Sequence, residues 1–191
     1  MPEPPEFCQR ARIPGNQWLA AHPNAKRPRD YWSPFKGDLA AGFQMRCAYS
    51  AMFEPVGTVE HFVSWHESRL HAYEWTNYRY SAAWINSSKK NEQSSNLMDP
   101  FSVQDGWFEV ILPSLQLRVS NSIPGTLRAL AEYTIRRLRL VHDERVMRQR
   151  REWYRMYQCG ELSFDGLEKK APLIAAAVKE AADRGGDNSS G

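Results

Sequence analysis

"TVEHFVSW", Thr58–Trp65, and "NYRYSAAWINSSKKN", Asn77–Asn91, decide how this chain is read. In the first segment Val59, His61 and Val63 fall on one side of an alternating pattern, as in a strand. The run from Asn77 to Asn86 reads as a second strand that stops on Asn86. "SSKKNEQ" then opens a short helix, with Ser87 or Ser88 as its N-cap and Glu92 and Gln93 in its first turns. Residues 66 to 76 are a polar connection. The expected local order is strand, loop, strand, helix.

Around this core the chain divides further. Residues 1 to 35 are rich in proline and carry Trp18 and Trp32, which predicts an irregular segment pinned to the core by aromatic rings. A short helix is expected near 16 to 21 and another over about 37 to 46. "GWFEVILP" and "LQLRVSN" predict a hairpin turning at Pro113–Ser114. From Thr126 the apolar residues recur at spacings of 3 and 4, which predicts a helix. A second helix is expected over about 143 to 158 with Gly160 as its stop, and a last one from Pro172. The expected parts are an N-terminal extension (1–46) packing on the core, the core itself (47–105), a hairpin with C-terminal helices (106–184), and a disordered tail (185–191). The fold class expected is α+β.

Composition narrows the function. The chain has 191 residues, 42% of them hydrophobic, with 7 Trp, 8 Tyr and 8 Phe, enough for a real core. No run approaches the length of a membrane helix, and the first residues show no apolar signal region. A cytoplasmic protein with no membrane partner is expected. Cys8, Cys47 and Cys159 are widely spaced and form no CxxC pair, which argues against disulfides and a four-cysteine zinc site. Net charge is only +3. From Arg128 to Arg155, however, nine arginines face four acids. Such a stretch reads as a phosphate-facing surface or as a solvated helix face.

The polar residues of the central unit suit one chemistry. Hydrolysis of a phosphodiester needs a base, a divalent cation and a frame that orients the base. A histidine ordinarily titrates near neutral pH, so His61 suits the base. Glu60 and Asn86 offer oxygen donors for a hard cation. Asn77 stands where the second strand begins.

These three elements, "VEHFV", "YEWTNYR" and "INSSKKN", resemble the signature of HNH endonucleases, whose core is the ββα-metal fold. The framing segments "GNQWLAAHP", "RPRDYW", "CAYS", "HAYEWTNYR" and "MDPF", with "LRLVHDERVMRQRREW", are similar to small bacterial HNH proteins of anti-phage defence. These include the nucleases that accompany an ATPase in Septu-like and some retron systems. The resemblance implies that His61 is the general base, that Glu60 and Asn86 hold Mg²⁺ or Mn²⁺, and that Asn77 holds the loop and imidazole by hydrogen bonds. It implies phosphate contacts at Lys89 or Lys90, with DNA as substrate and RNA not excluded, and an ATPase as a possible partner. Arg136 and Arg139, from the basic stretch, are further candidates for backbone contacts. The chain departs from the family where flanking cysteine pairs would bind a structural zinc. Position 50 is Ser, and Ala82 and Ile85 replace the second pair, so no structural zinc is expected. A Pro-Lys step after the histidine strand is also replaced, by "SWHES". These departures motivate an alternative, an HNH-fold subunit that binds or assembles without catalysis.

Overall fold

Strand β1, Thr58–His61, pairs antiparallel with β2, Tyr78–Ser81, so that Val59 opposes Tyr80, Glu60 opposes Arg79 and His61 opposes Tyr78. Side chains alternate across a strand, and this hairpin therefore has two different faces. Val59, Tyr78 and Tyr80 join a core with Phe7, Trp32, Phe35 and Leu39. Thr58, Glu60, Arg79 and Ser81 lie on the other face. The helix that follows, Ala83–Lys89, packs on β1. In chain order it is the third α-helix, after α1, Ile13–Ala21, and α2, Lys36–Gly42, and is called α3.

The structure is a computed structural model and describes residues 1–187. Contacts group residues 1–48 and 54–99 into an N-terminal unit, and 49–53 with the residues from 100 onward into a C-terminal unit. The mixture of helices with two small antiparallel sheets makes the fold α+β.

Two boundaries differ from expectation. β1 ends at His61, because Asn77 takes over the next backbone positions. The Phe62 amide donates to the Asn77 carbonyl at 2.9 Å. Helix α3 begins at Ala83, four residues before the expected serine cap, and Ala82 caps it with no side-chain bond. Alanine is a strong helix former, and winding the chain from Ala83 buries Ile85 completely. Asn86 consequently lies inside the helix, Lys89 is its last residue, and Lys90 leaves it at φ +53°. The two lysines are thus at the C-terminal end, where helix amides favour no anion.

The N-terminal segment is fastened to the hairpin's loop by hydrogen bonds as well as rings. Trp75 Nε1 donates to the Pro2 carbonyl at 2.9 Å, and Tyr73 Oη donates to the Arg29 carbonyl at 2.6 Å. Gly57, just before β1, has to be glycine: a Cβ there would come within 2.4 Å of the Tyr80 ring. The Gly57 amide donates to Tyr80 Oη, which in turn donates to the Glu54 carbonyl.

In the C-terminal unit β3, Phe108–Ile111, and β4, Gln116–Val119, form the expected hairpin. Helices α4, Gly125–Arg137, and α5, Glu144–Gln158, match the periodic runs. Asp143 caps α5 by accepting the Arg145 amide. An additional helix, α6, Phe164–Lys170, is capped by Ser163 and precedes α7, Pro172–Asp187. Residues 185–187 close α7, and the rest of the expected tail, 188–191, lies outside the described residues. The core of this unit holds Arg150, 1% exposed, whose guanidinium donates to the carbonyls of Leu115, Leu140 and Val141. Burial lowers its pKa to about 10, so it stays charged at neutral pH. Among the described residues no helix is long and apolar enough to cross a membrane.

Candidate functional site

His61 is 6% exposed and enclosed by aromatic rings, with Trp32, Tyr78 and Trp65 centred 4.6, 4.9 and 5.1 Å away. Its Nε2 lies 2.9 Å from the Ala72 carbonyl. A carbonyl can only accept, so the proton of the neutral ring is on Nε2 and Nδ1 is the basic nitrogen. Tyr78 Oη donates to the same carbonyl at 2.8 Å. Burial lowers the His61 pKa to about 4, against the smaller opposing effect of the Ala72 bond. The imidazole is therefore neutral and available as a base throughout the physiological range.

Ala72 belongs to the loop between the strands, and Asn77 holds that loop closed. Its Nδ2 donates to the carbonyls of Val63 and His71, both at 2.9 Å, and its Oδ1 accepts the Val63 amide at 2.7 Å. Asn77 thus ties both ends of the loop together next to the carbonyl that orients His61. It makes no direct bond to the imidazole among the described residues; Ala72 does. No sequence signal marks Ala72, because its contribution is a backbone oxygen.

On the opposite face of the hairpin lies a network of charges. Lys89 Nζ donates to Glu60 Oε1, to the His61 carbonyl at 2.6 Å and to the Phe62 carbonyl at 2.7 Å. Lys89 and Glu60 are both 1% exposed. Three acceptors match the three hydrogens of an ammonium. Lys89 is therefore a buried clamp between α3 and the end of β1, not the phosphate contact expected from its position. Beside it Arg79 makes a two-pronged pair with Asp99, Nε to Oδ1 at 2.8 Å and Nη2 to Oδ2 at 2.6 Å. Asp99 thereby fastens the end of the unit to β2.

A cavity of about 260 Å³ runs along β1 and brings the candidate residues together. Thr58, Glu60, His61 and Asn86 line it, and Lys90 stands on its wall. Asn86 is half-buried, with Nδ2 3.5 Å from Thr58 Oγ1. The N-terminal segment adds Arg27, Asp30, Trp32 and Lys36. Arg27 opens the framing segment "RPRDYW" without a role assigned to it there, Lys36 belongs to no motif, and their shared sequence signal is "KRPRDYWSPFK", which sets basic residues around a tryptophan. Arg136 and Arg139 belong to the C-terminal unit and are exposed there.

A divalent cation would find few protein ligands here. Among the described residues no group of three or more His, Cys, Asp and Glu could hold a metal ion. Glu60 is balanced by Lys89, and Asn86 is neutral. This is too little for an all-protein cage, and a Mg²⁺ ion, commonly held by one carboxylate together with substrate phosphate oxygens and water, would depend on those added ligands. Ala82 and Ile85 are buried, and the Cys47 Sγ accepts the Ala82 amide at 3.4 Å. No family model, no curated protein and no solved structure matches this chain.

Proposed function

We propose that this chain is a metal-dependent endonuclease that hydrolyses phosphodiester bonds of DNA. The observation that carries the reading is the state of His61: its Nε2–H is fixed on the Ala72 carbonyl, and its basic Nδ1 belongs to a ring lining a cavity walled by cations. In the proposed reaction Nδ1 takes a proton from a water molecule. The water oxygen bonds to phosphorus, the bond to the leaving oxygen breaks, and that oxygen takes a proton from solvent. Asn77 holds the loop that presents Ala72 and so fixes the base. Glu60 and Asn86 would hold the divalent cation, Mg²⁺ or Mn²⁺, which when bound supplies positive charge to the developing phosphorane. Exposed Arg136 and Arg139 of the C-terminal unit would meet backbone phosphates. The resemblance to HNH proteins of anti-phage defence supports the same reading and adds an ATPase as the proposed partner.

The test is plasmid cleavage with Mg²⁺ or Mn²⁺, comparing the wild type with His61→Asn, with far-UV circular dichroism to verify folding. Loss of the base is expected to slow cleavage by about a hundredfold or more. Equal cleavage by both proteins overturns the reading, and faster cleavage of RNA would reassign the substrate. The buried Glu60–Lys89 pair favours one alternative, a subunit of this fold that binds DNA without cutting it. It predicts oligonucleotide binding with no cleavage in either metal.

A further inference from the structure

The cavity contains groups that the proposed reaction does not use. Arg27, Lys36 and Lys90 are all exposed and all line it. Of the carboxylates that line it, Asp30 makes no ion pair among the described residues, and Glu60 is balanced by Lys89. Asp30 acts locally, since its oxygens accept the Ser33 amide at 2.9 Å and the Ser33 hydroxyl at 2.6 Å, closing the turn around Trp32. Trp32 in turn packs on His61. The same segment places the Arg27 guanidinium over the Trp65 ring, 5.7 Å from its centroid, and Trp65 meets the edge of His61. Arg27 thus rests over a ring that itself meets the imidazole, and among the described residues it makes no hydrogen bond or ion pair. Lys36, at the start of α2, and Lys90, just past the end of α3, complete the wall from two other elements.

We infer that Arg27 and Lys36 of the N-terminal segment, with Lys90, form a phosphate-binding wall that takes the nucleic-acid backbone into this cavity without a divalent cation. The inference rests on the reading of the cavity as a phosphodiester site. Its reason is electrostatic. As folded, the cavity carries an excess of positive charge, so a polyanion is attracted before any metal is bound. The divalent cation then enters together with the phosphate oxygens that complete its shell.

The experiment is fluorescence anisotropy of a labelled DNA duplex with His61→Asn, first in EDTA and then in Mg²⁺. Binding in EDTA is expected, with Kd changing by no more than about threefold on adding Mg²⁺, and with a steep dependence on salt. Arg27→Glu/Lys36→Glu in the same background is expected to weaken binding by about tenfold or more and to lower the salt slope by roughly two. Lys179→Glu/Arg184→Glu, an equal charge change in α7, is the control and should bind as the parent does. Binding seen only with Mg²⁺ overturns the inference, as does unchanged binding by Arg27→Glu/Lys36→Glu. Equal competition by polyglutamate would also overturn it, since an acidic protein would then serve as well. Cleavage measured separately with the wild type tells the two failures apart. If His61→Asn cuts like wild type, the nuclease reading fails. If Arg27→Glu/Lys36→Glu binds normally while His61→Asn is inactive, only the wall fails.

Discussion

At the scale of single residues, burial sets the behaviour of the proposed base. The His61 pKa is lowered from 6.5 to about 4 because the charged ring would lose its water. Between those values the unfolded chain binds a proton that the folded protein excludes. The contribution is fully present above pH 6.5 and is lost as the pH falls through about 4. On the order of 3 kcal/mol is lost across that window. A folded protein titrated by NMR should show the His61 ring still neutral at about pH 5.5, and kcat/KM should stay flat down to that pH. A midpoint near the ordinary histidine value would show that the ring is solvated. Lys89 makes a second residue-scale case. Lys89→Met leaves Glu60 buried without its cation and should lower stability by about 3–5 kcal/mol, read from urea unfolding. Glu60→Gln/Lys89→Met removes both charges and should recover most of that loss, whereas a simple surface pair would show almost no effect in either variant.

At the scale of elements, Asn77 ties together the two ends of the loop between β1 and β2. Asn77 supplies three of its side-chain bonds, so Asn77→Ala should cost about 1–3 kcal/mol and free the buried groups it satisfies. Amide exchange at Val63 should rise sharply while β2 amides change little. Asn77→Asp should fail to restore protection, since a carboxylate cannot donate to the Val63 and His71 carbonyls. The strand–loop–strand–helix order was legible in the sequence because alternation and turn residues mark it locally. The helix start was not. Ala82, Ala83, Trp84 and Ile85 suit either period, and a helix capped by alanine carries no side-chain signal. The role of Lys89 was hidden for a related reason. Its partner Glu60 is 29 positions away, and only folding α3 onto β1 reveals that the ammonium is already satisfied. The Ala72 carbonyl was out of reach altogether, since any residue offers one.

At the scale of the whole molecule, charge is distributed differently from its count along the chain. The basic stretch from Arg128 to Arg155 reads as a single cationic surface, yet most of its arginines have nearby uses. Arg145 pairs with Asp143 and pulls that carboxyl down to about 2. Arg148 and Arg151 share Glu144, Arg155 bridges Glu152 and Glu161, and Arg150 is buried. Two of these pairs, Arg148–Glu144 and Arg155–Glu152, are four and three positions apart on α5 and follow from helical spacing alone. The burial of Arg150 does not, because its acceptors come from the β3–β4 turn and the segment after α4. Of this stretch Arg139 is exposed and makes no ion pair among the described residues, and Arg136 pairs with Glu132 at 3.7 Å. This gives a prediction within one unit. Arg136→Gln/Arg139→Gln should reduce the salt dependence of DNA binding by roughly one to two in slope. Arg148→Gln/Arg151→Gln removes as much formal charge but leaves Glu144 to repel phosphate. A surface that binds by total charge would lose affinity equally in both variants. A surface in which paired arginines are already spent would show a slope change of about one in the first variant, from Arg139 alone. At Arg148 and Arg151 it would show weaker binding at low salt that converges with wild type as Glu144 is screened within about 10 Å at 0.1 M salt.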